Sequence, residues 1–366
     1  MKIALDGFEL GREAKGVGRV IHNMLVRLPD LLVNDKFLIF TKEGIGKYSH
    51  PRTEEHLLTW RAGYLRWQNG PLRKALKAAN PDLFIASNYI LPLACPWKTI
   101  LFEHDISVVT HPEWYPRRYS FTRRFLVGRS LERADLVVVS SDFVKKEILN
   151  SFDISGEKIR IIGYGVEEKF QRASETEIER WKKKKGLGGK KVVGFLGSIF
   201  KRRHIPELIR AVGVLRTEFP ETVLYLVGQD FGVLGGRDAP APAISDWVLW
   251  DQSLPEEELP LYYSSVNAFA YLSEYEGFGF PPLEALACGT PSILLDGSSL
   301  SEVFSGLAIM VDAPEPGTIA AALRTLLTDE AKRADLRDEF ERRRERFSWS
   351  RAALDLAASI RGMWPR

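Results

Sequence analysis

The chain has 366 residues, 45% of them hydrophobic, with 51 basic against 48 acidic residues and a formal charge of +3. This length suits two domains with separate cores and excludes global disorder, and the near-neutral balance excludes a dedicated nucleic-acid binder. Two distant cysteines, Cys95 and Cys288, in no metal-like or redox-like spacing, fit a reducing, cytoplasmic compartment, and no apolar run is long enough for a signal peptide or a membrane span.

In chain order, Lys2 to Leu5 reads as a first strand, followed by the glycine-bearing stretch Gly11 to Arg19 and a helix with apolar Val20, Ile21, Met24, Leu25 and Leu28. Strand, glycine loop and helix form the phosphate-friendly opening of doubly wound folds. After Gly16 and Gly18 the dinucleotide fingerprint needs a third glycine where Ile21 stands, which argues against a nicotinamide oxidoreductase. Phe37 to Thr41 is a second strand. The stretch 60–77 carries Arg61, Arg66, Arg73, Lys74 and Lys77, no acid, and Trp60, Tyr64 and Trp67. Such a mixture suits the headgroup layer of an anionic membrane, and it equally suits a solvated helix face with aromatics turned into the core. Strands follow over Asp82 to Ala86 and Thr99 to Phe102, the latter ending in Glu103-His104-Asp105. Functional groups of such sheets gather at the carboxyl ends of strands, so His104 is a site candidate. Pro116 to Arg129, with five arginines and no acid, is a helix leading into Leu131 to Ala134. Leu136 to Ser140 and Ile159 to Ile162 complete the strands of the first half, with Ser141 as a helix N-cap between them.

A polar run, 167–191, reads as a linker. A second cycle then starts with a strand over Lys191 to Leu196 and the turn Gly197-Ser198-Ile-Phe-Lys201-Arg202-Arg203-His204. Further strands are expected over Val223 to Val227, Trp247 to Trp250, Ala268 to Leu272, Ser292 to Leu295 and Ala308 to Val311, and helices from Pro206, from Pro255, with Pro281 and Pro282 in a first turn, from Ser301, over Thr318 to Leu327, over 329–346 and over Ser348 to Trp364. This alternation argues for parallel sheets with helices on both faces. The expected domains are 1–168, 169–345 and a closing helix, 346–366, that packs back on the first.

The richest stretch is Glu274 to Gly289. A strand ends in a loop with Glu274 and Glu276, Gly277 and Gly279 bare the backbone, Pro281 and Pro282 suit a first helical turn, Glu284 is expected in that same turn, and Gly289 closes the helix. Amide groups at a helix start attract anions, and a carboxylate there accepts ribose hydroxyls. With Lys201, Arg202 and Arg203, the stretch suits a nucleotide-linked diphosphate. No two aspartates stand at i and i+2, so an Asp-x-Asp metal clasp is missing and cations take its place at the leaving charge.

Glu276-Gly-Phe-Gly-Phe-Pro-Pro-Leu-Glu284 resembles the E-x7-E motif of the retaining family-four glycosyltransferases, whose GT-B fold sets two doubly wound Rossmann-like domains across a cleft. The resemblance covers nearly the whole chain and is nearest to mannosyltransferase-like members. It implies that Glu284 holds the ribose, Glu276 faces the sugar, and Gly277, Phe278, Gly279 and Phe280 line the sugar and diphosphate. The turn from Gly197 and Ser198 is similar to the family's Gly-Ser-x-x-x-Arg-Lys-Asn-Leu, placing Arg202 and Arg203 on the diphosphate, with Arg203 for the usual Lys and His204 for the usual Asn. Gly16-Val17-Gly18-Arg19 resembles the Gly-Ile-Gly-Arg-Tyr opening, which sits over the diphosphate beside the acceptor. His104-Asp105 with His111-Pro-Glu-Trp is similar to the His-Asp-Leu…His-Pro-Glu region, so His104 is implied to touch the transferred sugar. Ser298-Ser-Leu-Ser301-Glu-Val is near the family's Ser-Ser-Leu-Pro-Glu-Val, and Phe347-Ser-Trp resembles its closing segment.

The resemblance therefore implies metal-independent hexose transfer with retention, mannose from GDP-mannose, onto a glycan or lipid-linked acceptor at the inner membrane face, with no cofactor. UDP- or dTDP-sugar transfer, a sugar-nucleotide epimerase and a non-catalytic nucleotide-sugar binder are the alternatives.

Overall fold

A computed structural model describes residues 1–11, 16–44, 46, 48, 50–235 and 245–364. Part of the expected loop Gly11 to Arg19 lies outside the described residues. The chain divides into two compact units, one of residues 1–165 with 346–366 and one of residues 166–345.

The first unit is built on seven strands: β1 (Lys2–Asp6), β2 (Lys36–Thr41), β3 (Thr53–Leu57), β4 (Leu83–Ala86), β5 (Lys98–Phe102), β6 (Leu136–Val139) and β7 (Ile159–Ile161). They pair in parallel in the order β3-β2-β1-β4-β5-β6-β7. Strands covered on both faces lose the polar alternation, and β4 and β6 are buried at every position. The hydrophobic pattern does not predict β3, Thr-Glu-Glu-His-Leu, because an edge strand half in water carries no apolar run. The closing helix Trp349–Gly362, N-capped by Ser348, belongs to this unit. Trp349 stacks on Tyr164 at 5.8 Å, and a Cβ on Gly165 would stand 2.3 Å from the Trp349 amide, so only glycine permits the approach.

The second unit holds β8 (Lys191–Leu196), β9 (Thr222–Val227), β10 (Val248–Asp251), β11 (Ala268–Tyr271), β12 (Ser292–Leu295) and β13 (Ile309–Val311), all parallel, in the order β10-β9-β8-β11-β12-β13. Chain order reverses direction between β8 and β11, as it does between β1 and β4 in the first unit. Both sheets are thus doubly wound, and such reversals are where ligands bind, beyond the carboxyl ends of the strands.

The expected linker is corrected. Within 167–191 lies a helix, Glu175–Lys184, with a full capping box between Ser174 and Glu177 and with Ile178 and Trp181 buried. Reciprocal capping satisfies two amides at the helix start, and Lys182, Lys183 and Lys184 in the last turn oppose the helix dipole. Polar composition there marks a solvated helix face.

Candidate active site

The second unit gathers most of the predicted residues at its strand reversal. Gly197, φ 145°, follows β8 and Gly228, φ 147°, follows β9; a Cβ on Gly228 would meet the Gly197 carbonyl at 1.9 Å. These two glycines let adjacent strand ends turn against each other. The turn after Gly197 closes in one 3-10 turn, Lys201–Arg203, and His204 follows with φ 51° and ψ 39°. Histidine shares with asparagine an enrichment in that left-handed region, so His204 meets the same backbone demand.

Arg203 is the centre of the cluster. Its Nη1 donates to the Ser198 carbonyl at 2.8 Å and its Nη2 to Glu276 Oε1 at 2.9 Å. The Tyr271 hydroxyl donates to the same carboxylate oxygen at 2.9 Å, and the guanidinium lies 5.1 Å over the Tyr271 ring. Burial works against the Arg203 charge, but Tyr271 and Glu276 outweigh it and hold its pKa above the ordinary value. Arg203 Nε is buried with no hydrogen-bond partner. Arg202 stacks 4.5 Å over Phe200, and its carbonyl accepts the Glu274 amide at 2.9 Å. The loops after β8 and β11 are therefore joined by the Arg203–Glu276 pair and by a backbone bond.

Glu284 does not fall in the first turn of the helix after β11 as expected. Gly279, φ 101°, takes the N-cap and the helix runs over Phe280–Ala287, so Glu284 is its fifth residue and lies beyond the first turn. A Cβ on Gly279 would meet Leu300 at 2.7 Å, which fixes the cap at a glycine. Glu284 is buried, and its Oε2 accepts the Tyr263 hydroxyl at 2.7 Å. Pro281 and Pro282 carry no amide hydrogen, so an anion meets the turn Gly277–Phe280 before it meets the first helical turn. That turn is held from behind by Ser299 Oγ, which donates to the Glu276 carbonyl at 2.7 Å. Ser301, where proline is usual, donates to Asp296 Oδ1 and accepts the Gly297 amide, both at 2.5 Å, a tie proline cannot make.

In the first unit His104 follows β5. Its Nε2 faces the Ser87 carbonyl at 2.9 Å and its Nδ1 the Tyr164 hydroxyl at 2.8 Å. A carbonyl only accepts, so Nε2 carries the proton and Nδ1 accepts from Tyr164. Burial lowers the His104 pKa against the opposing pull of Ser87 and Asp105, and the ring is neutral. Asp105 caps the next turn, accepting the Ser107 amide at 2.9 Å and hydroxyl at 2.6 Å. Tyr89, beside His104, has φ 63°, a strained conformation for a bulky residue. Gly16, φ 51°, caps the helix Val17–Leu25, with Gly18 buried in its first turn. Among the described residues no hydrogen bond joins His104 to that turn.

Sequence reasoning missed Tyr271, Tyr263, Tyr164 and Glu103. Glu103 is wholly buried, neither carboxylate oxygen has a hydrogen-bond partner, and burial raises its pKa well above the carboxylate range. No local motif marks these residues. In the basic stretch 60–77, Tyr64 and Trp67 donate to Asp6 at 2.7 and 2.9 Å while its five cations stay exposed. Its aromatics are turned inward.

Two doubly wound units, a glycine-and-cation turn after β8 and a glutamate pair framing the helix after β11 define the class of GT-B glycosyltransferases. The model described as "Glycosyltransferase Family 4" matches residues 14–170, and "Glycosyl transferases group 1" matches 177–343. The chain belongs to the family-four glycosyltransferases. It is similar to O-antigen chain mannosyltransferase B of Escherichia coli, 27% identical over 75% of this chain and 73% of that protein. It is also similar to the serotype-specific mannosyltransferase WbdA of Escherichia coli, 25% identical over 96% of this chain, which spans only 46% of WbdA. Among solved structures, Anabaena HepE in complex with UDP and glucose superposes with a TM-score of 0.78 at 17% identity, covering 99% of this chain and 100% of that one.

Proposed function

We propose that the chain transfers mannose from GDP-mannose to a hydroxyl of a glycan or lipid-linked acceptor, with retention at the anomeric carbon and without a metal ion. The Arg203–Glu276–Tyr271 cluster, with buried Glu284 on the helix that follows Glu276, carries this reading. The second unit takes the donor: Glu284 the ribose, Arg202 and Arg203 the diphosphate with Gly197, Ser198 and the turn Gly277–Phe280, and Glu276 the sugar through its second oxygen. The first unit takes the acceptor, with Gly16, Val17 and Gly18 beside it. His104 enters as a fixed neutral ring, because both its nitrogens are already bonded.

The C1–O bond to the diphosphate breaks with its electron pair going to the leaving group. The acceptor oxygen bonds to C1 from the same face, and a diphosphate oxygen takes the acceptor's proton. Arg202 and Arg203 stabilise the charge that develops, which is the largest kind of contribution in such sites. The two mannosyltransferase relatives support the sugar. A UDP- or dTDP-sugar donor is the second reading, and the likeness to HepE with UDP and glucose favours the UDP form. Cytoplasmic placement, with a peripheral contact to anionic membrane, belongs to the same proposal; the stretch 60–77, expected to make that contact, turns its aromatics inward and is set aside for it. No described helix is long and apolar enough to cross a membrane.

A thermal-shift panel of GDP-, UDP-, ADP- and dTDP-sugars tests the donor. GDP-mannose at a hundred times its dissociation constant should stabilise the protein by about 2.7 kcal/mol. Stabilisation by UDP-glucose alone would replace mannose with the second reading. NMR of the product anomer tests retention, and a rate abolished by chelator would end the metal-free mechanism. Epimer formed without acceptor would point to an epimerase, and a chain that binds donor yet releases no sugar would be a binder.

A further inference from the structure

The helix Arg117–Arg133 of the first unit buries Ser120, Leu126, Val127, Gly128, Ser130 and Leu131 against the core. Its opposite face is not polar in the ordinary way. Phe121 is 79% exposed and Phe125 62%, one helical turn apart. At 100° per residue, Arg118, Phe121, Phe125 and Arg129 fall within a sector of about 80°. From Tyr115 to Leu131 there is no acidic residue; Glu132 comes only in the last turn. Arg123 turns aside to the Tyr119 hydroxyl at 3.0 Å, and Arg124 lies 5.6 Å over the Phe152 ring. The guanidinium groups of Arg117, Arg118 and Arg129 are exposed and make no hydrogen bond or ion pair among the described residues.

Two phenylalanines held in water between unpaired arginines are a costly surface unless something covers them. We propose that this face is the membrane-docking surface of the protein, taking an anionic phospholipid bilayer with Phe121 and Phe125 at the acyl boundary and Arg117, Arg118 and Arg129 among the headgroups. Charge selects the occupant. A second copy docked by symmetry would bring like arginines together, and an uncharged groove would leave three cations desolvated without partners. An anionic bilayer satisfies the rings and the cations together. The stretch 60–77 lacks half of this chemistry, because Tyr64 and Trp67 spend their polar tips on Asp6. The inference deepens the membrane contact of the proposed function, moves it to another surface, and is independent of which sugar is transferred.

The test sediments the full chain with vesicles of phosphatidylcholine alone and of phosphatidylcholine mixed with phosphatidylglycerol, at low and high salt. Binding should require the anionic lipid and weaken with salt. Arg118→Glu with Arg129→Glu should weaken it by about 25-fold or more, at about fivefold per lost cation. Phe121→Ser with Phe125→Ser should weaken it by more than tenfold, and Arg61→Glu with Arg66→Glu should leave it near wild type. Both outward pairs are exposed, so their thermal midpoints should match the wild type. Wild-type binding by the Phe and Arg pairs, no binding by the wild type, or loss confined to the Arg61/Arg66 pair would each overturn the proposal. So would a wild-type dimer that the Phe pair makes monomeric in sedimentation equilibrium, or binding transferred to an acidic protein in preference to vesicles. Sugar transfer to a soluble acceptor, measured in parallel, separates the two readings. Vesicle binding without any transfer leaves the surface standing and removes the activity.

Discussion

Arg203 and Glu276 stand 73 residues apart in sequence, and the structure joins them by one hydrogen bond. The guanidinium fork reaches the Ser198 carbonyl and Glu276 at once, which a lysine ammonium, a point charge on a flexible stem, does not reproduce. If Arg203 holds the leaving group as proposed, Arg203→Lys should lower kcat by about 10- to 100-fold with KM changed far less; steady-state kinetics at saturating acceptor measures it, and an unchanged kcat removes Arg203 from that role. Glu103 and His104 make opposite demands on pH. Burial raises the folded pKa of Glu103 above its ordinary 4.5, so the folded chain keeps a proton that the unfolded chain releases, and stability falls as pH rises through that window. Burial lowers the folded pKa of His104 below 6.5, so stability is lost there as pH falls. Glu103→Gln keeps the shape without the titration. As pH rises above the ordinary 4.5, its melting temperature should decline less than that of the wild type, with the same acid-side decline in both. Equal slopes in the two proteins would show that Glu103 is not the group that titrates. The Glu103 site is invisible in sequence because burial of a carboxylate is a property of what packs on it.

At the scale of elements, most strands and helices were legible, because periodicity and caps are local. Ser141 caps its helix by accepting the Val144 amide, as expected from its place after β6. The helix Phe280–Ala287 closes as its glycine suggests: the Gly289 amide bonds the Leu286 carbonyl and the Thr290 amide the Ala285 carbonyl, both at 2.9 Å, with Gly289 at φ 77°. Pro281 and Pro282 do stand in its first turn, but Glu284 lies one position beyond it, because only the packing of Gly279 on Leu300 picks the cap. In the stretch read as a linker, the Ser174 and Glu177 pair was the available signal, and charged composition masked it. Ser174→Ala removes one cap worth about 1 kcal/mol, and the unfolding midpoint of the second unit should fall by a few degrees in calorimetry. No change would mean that the buried Ile178 and Trp181 alone hold this helix.

For the whole molecule, the chain leaves the first unit at Gly165 and returns to it at Arg346. The returning helix buries Trp349, Ala352, Ala353, Leu356, Ala357 and Ile360, and its Arg361 reaches the Leu31 carbonyl. A chain ending at Glu345 would uncover the matching surface around Tyr164. Calorimetry of that truncation should show the transition of the first unit lowered by more than ten degrees or lost, with a transition of the second unit near its wild-type position. Equal loss in both transitions would mean that the two units unfold as one.

The amino-acid order by itself determined the parallel α/β architecture, the glycine turns, the Glu276 and Glu284 spacing and the family those motifs resemble, because strand period, caps and backbone freedom are settled by neighbours a few residues away. Only the tertiary structure decided that Arg203, Tyr271 and Glu276 form one cluster, that Glu103 is sealed from water and that β3 closes a sheet edge. It also decided which aromatics of two basic stretches face inward: Trp67 is fully buried while Phe121 is 79% exposed. Composition is nearly the same in the two stretches, and the difference lies in what stands opposite each ring once distant strands have paired.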